Sequence, residues 1–512
     1  MKKILFATVL LLAGMAAMAE PVGQKRAKAV AENYVKFHFS TPYSFPGEVP
    51  MVIVSDVTQD VGVENVHIFN YMYCPGVYSS LLLSGFVVVS GDDAAAPVLA
   101  FSTEGHLEKE DLNPAVLAHL QGYSRQIGAA MAKGGKPSEA VARKWQMLED
   151  PQVLEYLMSK GDMYDDNIPQ LLGNMIWGQG RPYNDKCPGG SVTGCVATAF
   201  GMIMNYWNWP EHGFGQHSYN GADNPAVYGN WTYGVQFADF EHTYYDWTHI
   251  EDYAVINSSD SVKEAISTLL YQIGVSLNMN YSPAGSGCWS LPEYAMFDTA
   301  WHLMELAPTI GADYRIPRHF GYKYSYAGMR DSIGNDSLWL AMLYNSLAEG
   351  KPIYYAGWAA ENNEQGHSGT SGHGYILDGY FSDVTDSNYF HINWGWSGSA
   401  NGFFKLDAMR PQGSDFTQWH GAVIGLEPDS SYTGYDYTYI PDIPSSNARI
   451  IGQQGRIVVQ NAENEPVSVY DIMGRRMGYR SSTGGQEWTV GLRPGIYVVR
   501  VGHCAAQKVL VW

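Results

Sequence analysis

Four segments carry side chains that together could perform acyl transfer. In Gly194-Cys195-Val196-Ala197-Thr198-Ala199, a glycine turn delivers a cysteine to the start of an apolar helix. A helix N-terminus favours negative charge, so the position suits a thiolate nucleophile. Alone, the segment fits a small core cysteine at least as well. A thiol nucleophile needs a base, usually histidine. Of 15 histidines, His373 in Ser371-Gly372-His373-Gly374-Tyr375-Ile376-Leu377-Asp378-Gly379 is the best placed, because flanking glycines let a substrate backbone approach and the following run reads as a strand. His367 reads as a surface loop residue, and His391 as a strand residue able to orient a neighbour. Twenty positions after His373 comes Asn393-Trp394-Gly395-Trp396-Ser397-Gly398. The Asn393 amide can accept an imidazole N–H, and a tryptophan of this segment can shield that bond from water. Gln179, 16 residues before Cys195 in Trp177-Gly178-Gln179-Gly180-Arg181-Pro182-Tyr183-Asn184, can donate to an oxyanion alongside the Cys195 backbone N–H.

These residues need a scaffold. Apolar spacing predicts a turn passing into a helix over Thr193–Tyr206, and helices over Ser261–Gly274 and Ser337–Glu349. Strands are expected over Pro352–Tyr355, Gly374–Leu377, Tyr389–Asn393, Gly402–Leu406 and Ala422–Leu426. Residues 166–430 therefore read as one α+β domain with a helical part and an antiparallel β part. Before it, residues 20–165 read as a separate α+β unit. It opens with a helix from Lys25 to Phe39, continues through short strands and turns helical after Asn113-Pro114. The charged stretch Lys160–Asp166 reads as a surface linker open to proteolysis. A second linker, 431–450, leads to a tail, 451–512, expected to be a small β-sandwich. Residues 1–19 read as a signal peptide: Lys2-Lys3, a short apolar run, then Ala17-Met18-Ala19. A chain of 512 residues exceeds one ordinary core, which agrees with this division.

Composition excludes some functions. A net charge of −20 repels phosphate, and no aromatic-interleaved basic patch exists, so nucleic acid is not an expected partner. The cysteines are Cys74, Cys187, Cys195, Cys288 and Cys504, an odd number with no C-x-x-C pair. Neither a disulfide framework nor a zinc site is expected. No metal or organic cofactor is called for.

The ordered set Gln179, Cys195, His373 and Asn393-Trp394 resembles the streptopain family of papain-like cysteine peptidases. The resemblance spans about 167–428 and includes Gly402-Phe403-Phe404-Lys405-Leu406-Asp407. It implies a papain-like fold, with Cys195 as nucleophile and His373 as proton acceptor. Gln179 would line the oxyanion hole, Trp394 would flank the histidine and Asn393 would lie nearby. Gly372 and Ser286, the latter in the loop Pro283–Gly287, would contact substrate. Residues 20–165, through Gly85-Phe86-Val87-Val88-Val89-Ser90-Gly91-Asp92-Asp93, resemble the family's inhibitory pro-domain, which blocks the site until cleavage near 158–168. The tail resembles the sorting domain of type IX secretion, through Val469–Arg476 and Leu492–Val498. The implied protein is a secreted or surface-exposed endopeptidase zymogen. Its expected partners are protein or peptide substrates, its own pro-domain and the secretion machinery. Two other readings stay open: a cell-wall peptide amidase or transpeptidase on the same fold, and an inactive surface-binding protein. Two departures from the family pattern bear on specificity: the long stretch Ala359–Ser371 before His373, and the thiol of Cys288 beside the substrate loop.

Overall fold

The computed structural model describes residues 19–39, 51–73, 83–109, 112–134, 136–150, 152, 164–220, 233–291, 311–358, 372–383, 387–407, 420–434, 449–460, 467–471, 476–480, 487–501 and 507–511. The expected leader (up to residue 18), the stretch Ala359–Ser371, most of the 431–450 linker, and Cys74 and Cys504 lie outside them. Among the described residues, no helix is long and apolar enough to cross a membrane. Two compact units result, one up to Tyr432 and one from Thr433 onward.

The first unit is built on one antiparallel sheet of 11 strands. Its strands are β1 (Met51–Asp56), β2 (Val66–Tyr73), β3 (Leu83–Ser90), β4 (Val98–Ser102), β5 (Tyr164–Ile168), β6 (Tyr326–Met329), β7 (Ile353–Trp358), β8 (Gly372–Asp383), β9 (Ser387–Asn393), β10 (Gly402–Phe404) and β11 (Gly421–Ile424). The order is β1-β2-β3-β4-β10-β9-β8-β7-β11-β6, with β5 added on β8. The main helices of this unit are α1 (Gln24–Phe39), α2 (Pro114–Ala132), α3 (Glu139–Glu149), α4 (Cys195–Trp207), α5 (Asp260–Ser276), α6 (Ala312–Phe320) and α7 (Asp336–Ala348). The expected helices and strands around the candidate residues are all present, within a few residues of their expected ends. Helix α6 was not anticipated; its short sequence, ADYRIPRHF, holds an internal proline.

Two findings alter the expected organisation. First, the expected linker Lys160–Asp166 ends in a strand. Strand β7 pairs with β8 only over Gly372–Leu377, and β5 fills the edge that β8 leaves open at Tyr380–Asp383. Second, the sheet does not stop between the segments 20–165 and 166–430. Strand β4 pairs with β10, Phe101 opposite Phe403 and Ala100 opposite Phe404. Glycine at 402 permits this seam: a Cβ there would lie 2.7 Å from the Phe101 carbonyl oxygen.

Both faces of the seam are packed. On one, Phe101 stacks on Phe403 at 5.2 Å and meets Phe381 and Tyr389 edge-on at 5.6 and 5.3 Å. Helix α1 closes this core with Val30 and Tyr34. On the other, α2 brings His119 edge-on to Trp394 and Phe404, at 5.8 and 5.5 Å. The His119 ring nitrogen Nε2 lies 2.9 Å from the Lys405 carbonyl, which also accepts the Tyr123 hydroxyl. A third core, around α4 and α5, holds Phe200, Met202, Ile203, Ile266 and Leu270 together with Tyr354 and Ile376 of the sheet.

The second unit has β12 (Arg449–Gln453), β13 (Arg456–Gln460), β14 (Val467–Asp471), β15 (Arg476–Arg480), β16 (Glu487–Gly491), β17 (Gly495–Val501) and β18 (Gln507–Val511). They form a three-stranded sheet, β12-β13-β16, and a four-stranded sheet, β15-β14-β17-β18. Inward-facing Ile457, Val459, Val467, Val469, Val499 and Val501 make one core, the period-2 pattern of a sandwich.

Phe101 carries the seam. Phe101→Ala should destabilise the full chain by about 3–5 kcal/mol, the usual cost of truncating a buried phenylalanine. A urea midpoint unchanged from the parent would show that the seam is not a packed core.

Candidate active site

Cys195 is the first residue of α4, and Gly194 is its N-cap at φ +87°. Only glycine fits. The backbone is in the left-handed region, and a Cβ would lie 2.8 Å from the Met279 thioether and 3.1 Å from the Ser286 carbonyl. The turn is locked by Thr198 Oγ1, 2.8 Å from Thr193 Oγ1 and donating to the Gly194 carbonyl at 3.1 Å. Behind it the helix is buried from Val196 to Asn205. The thiol therefore sits at a helix N-terminus that is anchored on every other side.

Strand β8 brings the imidazole of His373. Its Gly374 N–H points at Cys195 Sγ, 3.3 Å away. A side chain at 374 would strike the Tyr354 hydroxyl at 2.6 Å, so glycine lets the strand come this close. His373 Nε2 lies 2.9 Å from the Trp394 carbonyl oxygen. A carbonyl can only accept, so Nε2 carries a proton and Nδ1 is left for the sulfur. The electrostatics follow. Burial pushes the Cys195 thiol up, but the neighbouring His373 charge, the hydrogen bond to His373 and the N–H groups of Gly374 and Val196 outweigh it, leaving the thiol below its ordinary value. Burial pulls the imidazole down, yet the Cys195 charge, its hydrogen bond and the Trp394 carbonyl hold His373 above its ordinary value. Opposite shifts on touching partners describe a thiolate–imidazolium pair.

The remaining sequence candidates fall differently. Gln179 is half-buried, and its carbonyl accepts the Thr193 N–H at 3.0 Å, which ties its loop to the turn before Cys195. Gly372 is exposed at the start of β8. Asn393 does not meet the imidazole through its side chain. Its amide instead donates to the Met175 carbonyl at 2.7 Å and accepts the Gly395 N–H at 3.1 Å. Trp394 supports His373 through its carbonyl; its ring packs inward, 4.8 Å from Tyr375. The rings near the imidazole are those of Tyr375, stacked at 6.2 Å, and Trp396, tilted at 6.4 Å and 38% exposed. Sequence reasoning passed over Trp396, although the Trp-Gly-Trp spacing offered it. Ser286 is buried, and its hydroxyl donates to the Val192 carbonyl at 2.6 Å and accepts the Ser282 N–H at 3.0 Å. That hydroxyl ties its loop to the turn that precedes Cys195. His391 orients no neighbour in the pair; it bonds Asp378 at 2.5 Å. Cys187, Cys195 and Cys288 are free thiols, and burial pushes Cys187 up to about 12. No group of three or more His, Cys, Asp or Glu side chains suited to a metal occurs among the described residues.

The pair sets a pH signature. In the parent, Cys195 should be alkylated by iodoacetamide well below the pH at which an ordinary cysteine ionises. In His373→Ala only burial and the backbone N–H groups remain, so the alkylation step should move to higher pH. Identical profiles for the two proteins would show that His373 does not ionise the thiol.

Residues 177–404 match the Peptidase C10 family, residues 19–127 the Spi protease inhibitor, and residues 439–511 a domain of unknown function (DUF6383). The chain is 27% identical over 446 residues to the thiol protease/hemagglutinin PrtT of Porphyromonas gingivalis, covering 84% of this chain but only 45% of that protein. It is 27% identical over 381 residues to streptopain of Streptococcus pyogenes, covering 72% of this chain and 85% of that one. Among solved structures it is similar to a prointerpain A fragment of Prevotella intermedia, with a TM-score of 0.50 and 25% identity, covering 74% of this chain and 98% of the fragment. On its papain-like fold, the segment 177–404 is a streptopain-like cysteine peptidase segment of the C10 family, with an inhibitor-like segment ahead of it.

Proposed function

We propose that the protein is a cysteine endopeptidase, made as a zymogen and exported. The observation that carries this is the Cys195–His373 pair, with its thiol held low and its imidazole held high. The Cys195 thiolate attacks a peptide carbonyl carbon. The resulting oxyanion is held by the Cys195 backbone N–H and the Gln179 amide. His373 gives its Nδ1 proton to the leaving amine, and the C–N bond breaks to a thioester. His373 then takes a proton from water as the water attacks, and the thiolate is released with the acid product. The Trp394 carbonyl keeps the ring oriented throughout, and the chemistry calls for no metal or organic cofactor.

In this reading residues 20–165 are an intramolecular inhibitor, which the match to the Spi protease inhibitor supports. Residues 1–19 direct export. The sandwich at 451–512 acts as a sorting domain that delivers the protein to the cell surface or medium through type IX secretion. Gly372, exposed beside the base, contacts the substrate backbone.

Casein tests the reading. The processed protein should cleave it, and Cys195→Ala should not. Gln179→Ala should lose about 10²–10³ in kcat, as other oxyanion donors do. The Cys195→Ala precursor, kept free of other proteases, should stay full length. Turnover of cell-wall peptides with casein left intact would move the substrate class, and maturation of the Cys195→Ala precursor would rule out self-processing.

A further inference from the structure

The carbonyl that holds His373 belongs to a backbone that two asparagine side chains grip. A peptide unit is a rigid plane, so the Trp394 C=O and the Gly395 N–H turn together, pointing opposite ways. Asn393 Oδ1 accepts that N–H at 3.1 Å, while the Asn393 amide is itself fixed on the Met175 carbonyl at 2.7 Å. The preceding plane is held separately: the Trp394 N–H donates to Asn401 Oδ1 at 3.0 Å. The indole N–H donates to the adjacent Ala400 carbonyl, also at 3.0 Å. The turn presenting these acceptors closes through Asn401 N–H to the Gly398 carbonyl at 3.2 Å and Ser399 N–H to the Trp396 carbonyl at 3.0 Å. It places Ser397 and Ala400 at φ +53° and +57°. Residues with a Cβ persist there only when their surroundings over-determine them.

We propose that Asn401 is a positioning residue for the base, working with Asn393 as a clamp on the two peptide planes that flank the Trp394 Cα. The clamp fixes where the Trp394 carbonyl points, and through it the tautomer and angle of His373. Neither amide touches the imidazole. Asn401 also meets the inhibitor-like segment: the Ser102 hydroxyl donates to the Asn401 carbonyl at 2.7 Å. The same residue thus joins the support of the base to the seam.

The proposal rests on the Cys195–His373 reading above, and its test separates the two. Iodoacetamide alkylation is followed against pH in the full chain, with the Cys195→Ala chain subtracted to remove the other thiols. Loosening the carbonyl weakens its hold on the imidazolium. In Asn401→Ala and Asn393→Ala the Cys195 step should therefore move to higher pH, with about a tenfold loss of thiolate on the acid side, the order expected for one lost hydrogen bond. After processing, kcat on a peptide should fall by about the same factor, with KM held. Asn401→Asp keeps an oxygen acceptor and should recover most of both losses. Profiles that match the parent would overturn the clamp. So would a lowered melting temperature with no shift of the alkylation step, or an Asp variant no better than Ala, since each describes a merely structural residue. A parent whose Cys195 titrates as an ordinary thiol would instead sink the Cys195–His373 reading itself.

Discussion

The close approach of one strand to one helix end governs the site. Gly374 N–H lies 3.3 Å from Cys195 Sγ, and that distance exists only because residues 194 and 374 lack side chains. A Cβ at either would collide, with Met279 and Ser286 on one side and Tyr354 on the other. Once strand and helix touch, His373 is brought to the sulfur by its place beside Gly374. Burial should cost this pair its charges. Mutual attraction and fixed N–H and C=O dipoles compensate, which is how a low-dielectric site keeps an ion pair.

The rest of the peptidase segment keeps that approach rigid. Helix α4 is buried along most of its length, so its N-terminus cannot drift from the sheet. The His373 imidazole is steadied from behind by a backbone carbonyl. A carbonyl on a clamped peptide does the work that an amide side chain could have done directly. The consequence is that residues remote from the imidazole, on the turn from Gly395 to Asn401, share in defining its orientation.

The inhibitor-like segment is joined to the same support. Strand β4 extends the peptidase sheet at β10, and α2 stacks His119 on the outer side of Trp394. Burial brings His119 down to about 4, so at neutral pH it sits there uncharged among aromatic rings. The segment thus shares a hydrophobic core with the residue whose carbonyl holds the base.

Much of this was legible in the chain. Apolar spacing located α4, α5 and α7 and the strands bearing His373 and Asn393, because each has a face that must be buried. Residue chemistry pointed to Cys195 and His373, since a glycine-preceded cysteine at a helix start and a glycine-flanked histidine serve few other purposes together. Sequence could not assign the partner of Nε2. An asparagine side chain and a neighbouring carbonyl are equivalent acceptors on paper, and only the path of the chain from Asn393 to Asn401 decided for the carbonyl. Nor could it show that the Ser286 hydroxyl ties its loop to the Val192 carbonyl, or that Tyr375 and Trp396 rather than Trp394 turn their rings to the imidazole. The seam between β4 and β10 was hidden for the same reason: strand pairing joins residues about three hundred positions apart, and period-2 patterns name a strand without naming its neighbour. Sequence by itself determined which side chains are of a type that could do the chemistry; long-range packing decided how they are held.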